Sequence, residues 1–159
     1  MISKFSGAVL DNTRTYRFLL WRFWDERPRV LFCGLNPSTA NELQDDPTVS
    51  RWCQFARDWG YGGFYAGNLY PFITPHPEEL VAPACFHKAN YPAIKMASNL
   101  SVLTVACWGD GIKKVTGGLE IAAHIQKNLT DPMCFGLTQS GNPRHPLYLP
   151  GDTELKEFY

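Results

Sequence analysis

Arg29-Val30-Leu31-Phe32-Cys33-Gly34-Leu35-Asn36-Pro37-Ser38-Thr39 is the stretch on which the fold class turns. Its first half is a short apolar run stopped by glycine, and its second half has the chemistry of a loop. The reading is a buried strand feeding a polar loop. The same pattern recurs three times further on. Gly63–Asn68 runs into Asn68-Leu69-Tyr70-Pro71 and a proline-rich loop; 101–108 ends in Gly109-Asp110-Gly111; and 134–137 opens the loop 138–150.

Helical spacing lies between these runs. Asp46-Pro47-Thr48 supplies a capping carboxylate and a first-turn proline, after which Val49, Trp52, Cys53, Ala56 and Trp59 recur on one face until Gly60. Residues 88–100 can be helical, with Pro92 near the start. Ile112, Val115, Leu119 and Ala122 form another stripe, and Asp152 is placed to begin a short helix. Ahead of all this, Ala8-Val9-Leu10, Asn12-Thr13 and residues 16–20 read as a β-hairpin, with helix as the alternative for its second half.

Strands that alternate with helices predict an α/β domain, a three-layer sandwich with a mostly parallel four-stranded central sheet plus an N-terminal β-hairpin. In such sheets ligands bind beyond the carboxyl ends of the strands. The loops carrying Asn36, Pro37, Ser38 and Thr39; Asn68, Tyr70 and Phe72; Trp108, Gly109 and Asp110; and Arg144 and His145 should therefore meet.

The 159 residues, 45% of them hydrophobic and 19% charged, suit one cooperative domain over 1–159, and no internal repeat or low-complexity tract divides them. The longest apolar runs, such as 102–108, are short of a bilayer span, and Met1-Ile2-Ser3-Lys4 has no secretory apolar region, so the cytoplasm is the expected address and no membrane is expected as a partner. Five cysteines without a Cys-x-x-Cys pair disfavour a disulfide framework or a zinc knuckle; Cys33, Cys53, Cys107 and Cys134 fall in apolar segments as small core residues. Lys plus Arg and Asp plus Glu balance at 15 each, with no long basic run. That disfavours tight duplex binding and leaves open a small basic face of Lys88, Lys113, Lys114 and Arg144.

Familiar catalytic signatures are missing: there is no phosphate-binding P-loop, no dinucleotide-binding glycine fingerprint and no Gly-x-Ser-x-Gly elbow. Ser38 or Thr39 as a nucleophile would need a neighbouring base. Asp45 and Asp46 invite a metal or general-base reading, but Asp46 stands where a helix cap belongs, and capping is favoured. Asn36-Pro37-Ser38-Thr39 can be a turn cap, His145 a rim residue packed on Pro146 and Tyr148, and Trp108 either core or pocket wall. His76, His87 and His124 read as structural or exposed. Asn68, polar at the end of an apolar strand, requires either a structural network or a ligand.

From Tyr16 onward the chain resembles the bacterial and phage family DUF1643, through Leu35-Asn36-Pro37-Ser38-Thr39-Ala40, Asp45-Asp46-Pro47-Thr48, Trp59-Gly60-Tyr61-Gly62-Gly63, Asn68-Leu69 and Pro143-Arg144-His145-Pro146-Leu147-Tyr148. It departs where the family tends to place an arginine shortly after Asn68-Leu69 and this chain has Pro71-Phe72-Ile73. The order of its loops is also similar to that of the uracil-DNA glycosylase superfamily: Gly34-Leu35-Asn36-Pro37, a strand ending at Asn68, Val105-Ala106-Cys107-Trp108-Gly109, and Arg144-His145-Pro146.

This second resemblance implies a uracil-DNA-glycosylase-like fold and a nucleobase- or nucleotide-binding enzyme, acting by N-glycosidic hydrolysis or another base-directed reaction on DNA or nucleotides. Breaking a sugar–base bond builds negative charge on the leaving base, so the site needs a placed water and donors aimed at a base oxygen. The resemblance implies Asn36 for the water, Asn68 for reading the base edge, His145 with Arg144 for the negative charge, and Tyr70 or Phe72 for stacking. Pro37, Ser38, Thr39 and Trp108 would complete the substrate contacts. An aspartate stands in the first loop of the most active branch, where this chain has Asn36. No metal and no cofactor is implied, since water suffices. The expected partner is a nucleobase, a nucleotide, or a single-stranded or flipped base in DNA. The alternatives are an enzyme of modified-nucleotide metabolism with a different reaction, or a non-catalytic nucleotide- or protein-binding module.

Overall fold

The computed structural model describes residues 5–81 and 85–159; Met1-Ile2-Ser3-Lys4, read above for a leader, lie outside the described residues. The elements are β1 (Phe5–Leu10), β2 (Arg17–Phe23), β3 (Arg29–Gly34), α1 (Pro47–Asp58), β4 (Gly63–Asn68), α2 (Asn90–Asn99), β5 (Leu103–Ala106), α3 (Gly118–Asn128), β6 (Met133–Cys134) and β7 (Lys156–Glu157), with 3₁₀ turns at Pro77–Glu79 and Asp110–Lys114. No helix among the described residues is long and apolar enough to cross a membrane.

All the strands join one sheet in the order β1-β2-β4-β3-β5-β6-β7. Four neighbours, β4, β3, β5 and β6, run parallel, while β1 with β2, β2 with β4, and β6 with β7 are antiparallel. The expected four-stranded, mostly parallel sheet is thus replaced by a mixed sheet of seven strands. The reason is tertiary. The N-terminal hairpin does not stand apart but adds β2 alongside β4, from Leu20↔Ala66 to Phe23↔Gly63.

Period-two alternation distributes the apolar runs to both faces of the sheet. Val30 and Phe32, Phe64 and Ala66, and Val105 and Cys107 join Val49, Trp52, Phe55 and Ala56 of α1 in one cluster. Leu31, Cys33 and Ala106 join Ile94 and Ala97 of α2 and Ala122 and Ile125 of α3 in the other. A strand buried on both sides must be apolar at successive positions, which is why Arg29–Gly34 and its partners read as continuous runs.

Three further expectations change. The stripe from Ile112 to Ala122 is broken: Gly117 takes a left-handed φ of 74° and Gly118 packs against Ile112, so a 3₁₀ turn precedes α3 and Leu119 is exposed. The strand expected over 134–137 shrinks to Met133–Cys134, because Gly136 turns left-handed at φ 95° and Leu137 bridges instead to Pro143. No helix starts at Asp152. Residues 150–153 make a turn closed by Thr153 N–H on the Pro150 carbonyl, and β7 pairs with β6 to place Phe158 edge-on to Trp108, 5.5 Å between ring centres. Burying Phe158 outweighs helix propensity in so short a segment.

Candidate functional site

A cleft of about 260 Å³ opens beyond the carboxyl ends of β3, β4 and β5, against the N-terminus of α1. Asn36, Pro37 and Ser38 line it from the loop after β3, Asn68 from the end of β4, Trp108 and Asp110 from the loop after β5, and His145 from the loop after β6. Four loops spread over the chain from Asn36 to His145 are brought together because parallel strands all discharge their loops on one edge of the sheet. Thr39, Tyr70, Phe72 and Arg144 do not line the cleft. Tyr70 is 1% exposed and packed in the cluster beneath α2 and α3, Phe72 lies edge-on to Tyr16, and Thr39 and Arg144 are exposed. The proposed stacking role of Tyr70 fails for a local reason: the chain bends after Asn68, where the Asn90 amide holds the carbonyls of Asn68 (2.9 Å) and Leu69 (3.3 Å).

Asn68 is 2% exposed, and its Nδ2 has no hydrogen-bond partner among the described residues. A buried polar group left unpaired inside a protein is costly, so its partner is expected from outside the chain. Its position depends on Gly34, its register partner across β3 and β4. A Cβ at Gly34 would come within 2.9 Å of Asn68 Oδ1. Trp108, also 2% exposed, likewise has an unpaired indole Nε1.

The Asn36 amide is already committed as a donor. Its Nδ2 donates to the carbonyls of Thr74 at 2.7 Å and Pro37 at 3.0 Å, and Thr74 N–H returns to Pro37 O at 3.0 Å, stapling the loop after β3 to the loop after β4. What Asn36 has left to offer is the oxygen of its amide, an acceptor. Among the described residues no base contacts the Ser38 or Thr39 hydroxyl, so neither is activated as a nucleophile.

His145 accepts the N–H of Leu147 at Nδ1 (3.2 Å), which leaves Nε2 to carry the proton of a neutral ring. Burial lowers its pKa, an effect that the charge of Asp46 partly opposes, so the ring is neutral and a donor at physiological pH. Gly109 is needed beneath it: this residue sits at φ 69°, and a Cβ there would lie 3.0 Å from the Cβ of His145. Asp110 is held below the usual carboxylate range by hydrogen bonds from Asn142 Nδ2 (2.9 Å) and Thr138 Oγ1 (2.7 Å). Burial pushes the Cys33 thiol up to about 12 and raises Cys107 as well, which disfavours the reactive thiolate of both.

Residues that sequence reasoning did not assign complete the wall. Asp46 caps α1 through Val49 N–H at 2.9 Å, as its position promised, and lines the cleft besides. Thr48, Trp52, Thr74 and Arg17 also line it. The surprise is Arg17, a cation 2% exposed at the first position of β2. The sequence held one signal of it, an arginine opening the apolar run Phe18-Leu19-Leu20, but nothing in its spacing pointed to the cleft.

The loop between β3 and α1 has no regular structure, and arginines of the hairpin fasten it. Arg22 spans Asp45 (2.8 Å) and the carbonyls of Asn41 (2.6 Å) and Gln44 (3.2 Å), Arg17 Nη1 reaches Ala40 O (2.9 Å), and Arg14 makes a two-pronged pair with Glu42. The hairpin is thus the brace of the candidate site.

A family model described as a protein of unknown function, DUF1643, matches residues 17–147. No curated protein and no solved structure matches the chain.

Proposed function

We propose, from the premise that the chain belongs to the DUF1643 family, that its cleft binds a nucleobase, nucleoside or nucleotide and that the reaction is N-glycosidic hydrolysis or another base-directed step. The observation that carries this reading is Asn68: a buried amide at a strand end, unpaired at Nδ2, on the wall that Asn36 and His145 also line. An amide presents one donor and one acceptor side by side, the pattern of a pyrimidine edge. The likeness of the loop order to the uracil-DNA glycosylase superfamily supports it.

In the hydrolytic form, the oxygen of a water bonds to the sugar carbon, the electron pair of the carbon–nitrogen bond leaves on the base, and the water's second proton ends on that base. Asn36 Oδ1 would accept from the water and orient it. His145 Nε2–H would donate to the base oxygen where negative charge develops, and a neutral ring does this without forming a tight ion pair in the ground state.

The test is a thermal-shift screen against free bases, nucleosides, nucleotides and short uracil-containing oligonucleotides, followed by chromatographic assay for released base. A ligand that binds the folded state raises the melting temperature, and one base class should do so with Asn68→Ala losing the effect. A flat response across the panel overturns the reading. Non-catalytic binding is the second reading, favoured by the commitment of both Asn36 donors to backbone carbonyls; a shift without released base selects it.

A further inference from the structure

Arg17 is the most unusual group in the cleft. Its side chain is buried, yet no ion pair of the described residues includes it. Nη1 donates to the carbonyl of Ala40, and Nε has no partner among the described residues. A cation withdrawn from water without a contacting counter-ion is unfavourable unless something outside the chain supplies the negative charge. Burial lowers its pKa to about 10, still far above neutrality, so the guanidinium remains charged.

Asp46 is the acid whose field reaches Arg17, but it makes no contact with it. Both of its oxygens accept backbone N–H groups, Oδ1 from Val49 and Oδ2 from Ala40, and it stands at the positive end of α1, which has twelve residues. Its charge is therefore already engaged by the helix end. Asp110, the other acid of the cleft, is exposed and faces Thr138 and Asn142.

We propose that Arg17 and the N-terminus of α1 form a phosphoryl-binding subsite of the cleft, so that the ligand is a phosphorylated nucleotide rather than a free base or nucleoside. Three features fit. A guanidinium offers a planar fork that matches phosphate oxygens. The N-terminus of α1 adds the positive end of a helix dipole, with Thr48 lining the cleft beside Arg17, while the Val49 N–H is already held by Asp46 Oδ1. Asn68 and Trp108 add to the same wall buried N–H donors that have no partner among the described residues. The nucleoside half of this proposal rests on the base-binding reading above, and the phosphoryl half does not. The phosphoryl group belongs either to a free nucleotide or to a single strand of DNA.

Isothermal titration of the full chain with inorganic phosphate, pyrophosphate, a pyrimidine nucleoside, its 5′-monophosphate and a short single-stranded oligonucleotide separates these. The monophosphate should bind about tenfold or more tightly than its nucleoside, the gain expected of charge-assisted hydrogen bonds. Pyrophosphate should compete with it, and Arg17→Met should weaken the monophosphate about tenfold more than the nucleoside. Arg17→Lys, which keeps the charge but loses the fork, should fall between. Equal affinity for nucleoside and monophosphate overturns the subsite and leaves the base-binding reading standing. Binding of pyrophosphate that depends on Arg17, without any response to nucleoside, supports the subsite and removes the base reading. Failure of every phosphate-bearing probe overturns the subsite. If Arg17→Met does not fold, the wild-type comparison of nucleoside with monophosphate decides alone. Tighter binding of the oligonucleotide than of the monophosphate assigns the phosphoryl group to a nucleic-acid strand, and the reverse to a free nucleotide; either supports the subsite.

Discussion

The two ends of β2 each bury an arginine against the same loop, and they are treated in opposite ways. Toward the end of the strand, Arg22 meets Asp45 through Nε and three backbone carbonyls through its terminal nitrogens. At the start, Arg17 keeps one carbonyl contact and, among the described residues, has an unpaired Nε and no ion pair. Burying charge is tolerated where the fold satisfies it. One arginine is thus part of the architecture, and the other is held ready for something that the chain does not contain. The same contrast separates the amide nitrogen of Asn90, which holds two backbone carbonyls, from that of Asn68, which holds none among the described residues.

The sharpest way to break this comparison is to remove the two arginines in turn. Arg22→Ala leaves Asp45 and the carbonyls of Asn41 and Gln44 without their donor and should cost about 3 kcal/mol in chemical denaturation, discounted because Asp45 is partly solvated. Arg17→Met should change stability by less than about 1.5 kcal/mol, since it removes a poorly satisfied charge along with one hydrogen bond. Similar losses for the two would erase the distinction.

Gly34→Ala places a methyl group 2.9 Å from Asn68 Oδ1 and should cost about 1–3 kcal/mol through overpacking. Because the collision is with Asn68 itself, ligand-induced thermal shifts should vanish in this variant even where the protein remains folded. Retention of the shifts would show that Asn68 is not read by the ligand.

Asp46→Ala removes a helix cap and should lower stability by about 1 kcal/mol. Asp46→Asn keeps an oxygen for the Val49 N–H and should recover most of that loss. If the two variants lose equally, the stabilisation comes from the charge of Asp46 and its second oxygen on the Ala40 N–H rather than from the cap on Val49.

The smallest effect is that of pH on His145. Its folded pKa lies below the ordinary value of 6.5 because burial disfavours the charged ring. In that direction the unfolded chain takes up a proton first as pH falls, so stability is full above 6.5 and declines as pH drops through the folded pKa. Denaturation midpoints of wild type and His145→Gln should converge in slope above that range and separate below it, with the variant lacking the decline. Parallel curves would place the acid sensitivity elsewhere.

Much of this molecule was legible before any coordinates. Asp46-Pro47 announced α1, the turn at Asn12-Thr13 announced the hairpin, and the doubly covered strands showed in runs such as Val30-Leu31-Phe32-Cys33. Asn36, Asn68, Trp108 and His145 were placed in loops expected to meet, and they line one cleft. Tyr70 and Phe72 were misplaced because the direction of the chain beyond Asn68 is set by Asn90 and by pairing of the loop with the hairpin, where Arg17 N–H meets Pro71 O. Neither partner is near in sequence.

Local order is a property of neighbouring residues, so caps, turns and apolar runs were determined by the sequence alone, as was the rule that loops following parallel strands share one edge. Which polar groups go unsatisfied is different in kind, because a hydrogen bond depends on where both partners arrive. Nothing in the order of the residues separates Arg17 from Arg22, or Asn68 from Asn90. The closing of the loop between β3 and α1 over the hairpin gives Arg22 its partners, and the bend after β4 gives them to the Asn90 amide nitrogen, while Arg17 Nε and Asn68 Nδ2 reach the cleft without one among the described residues.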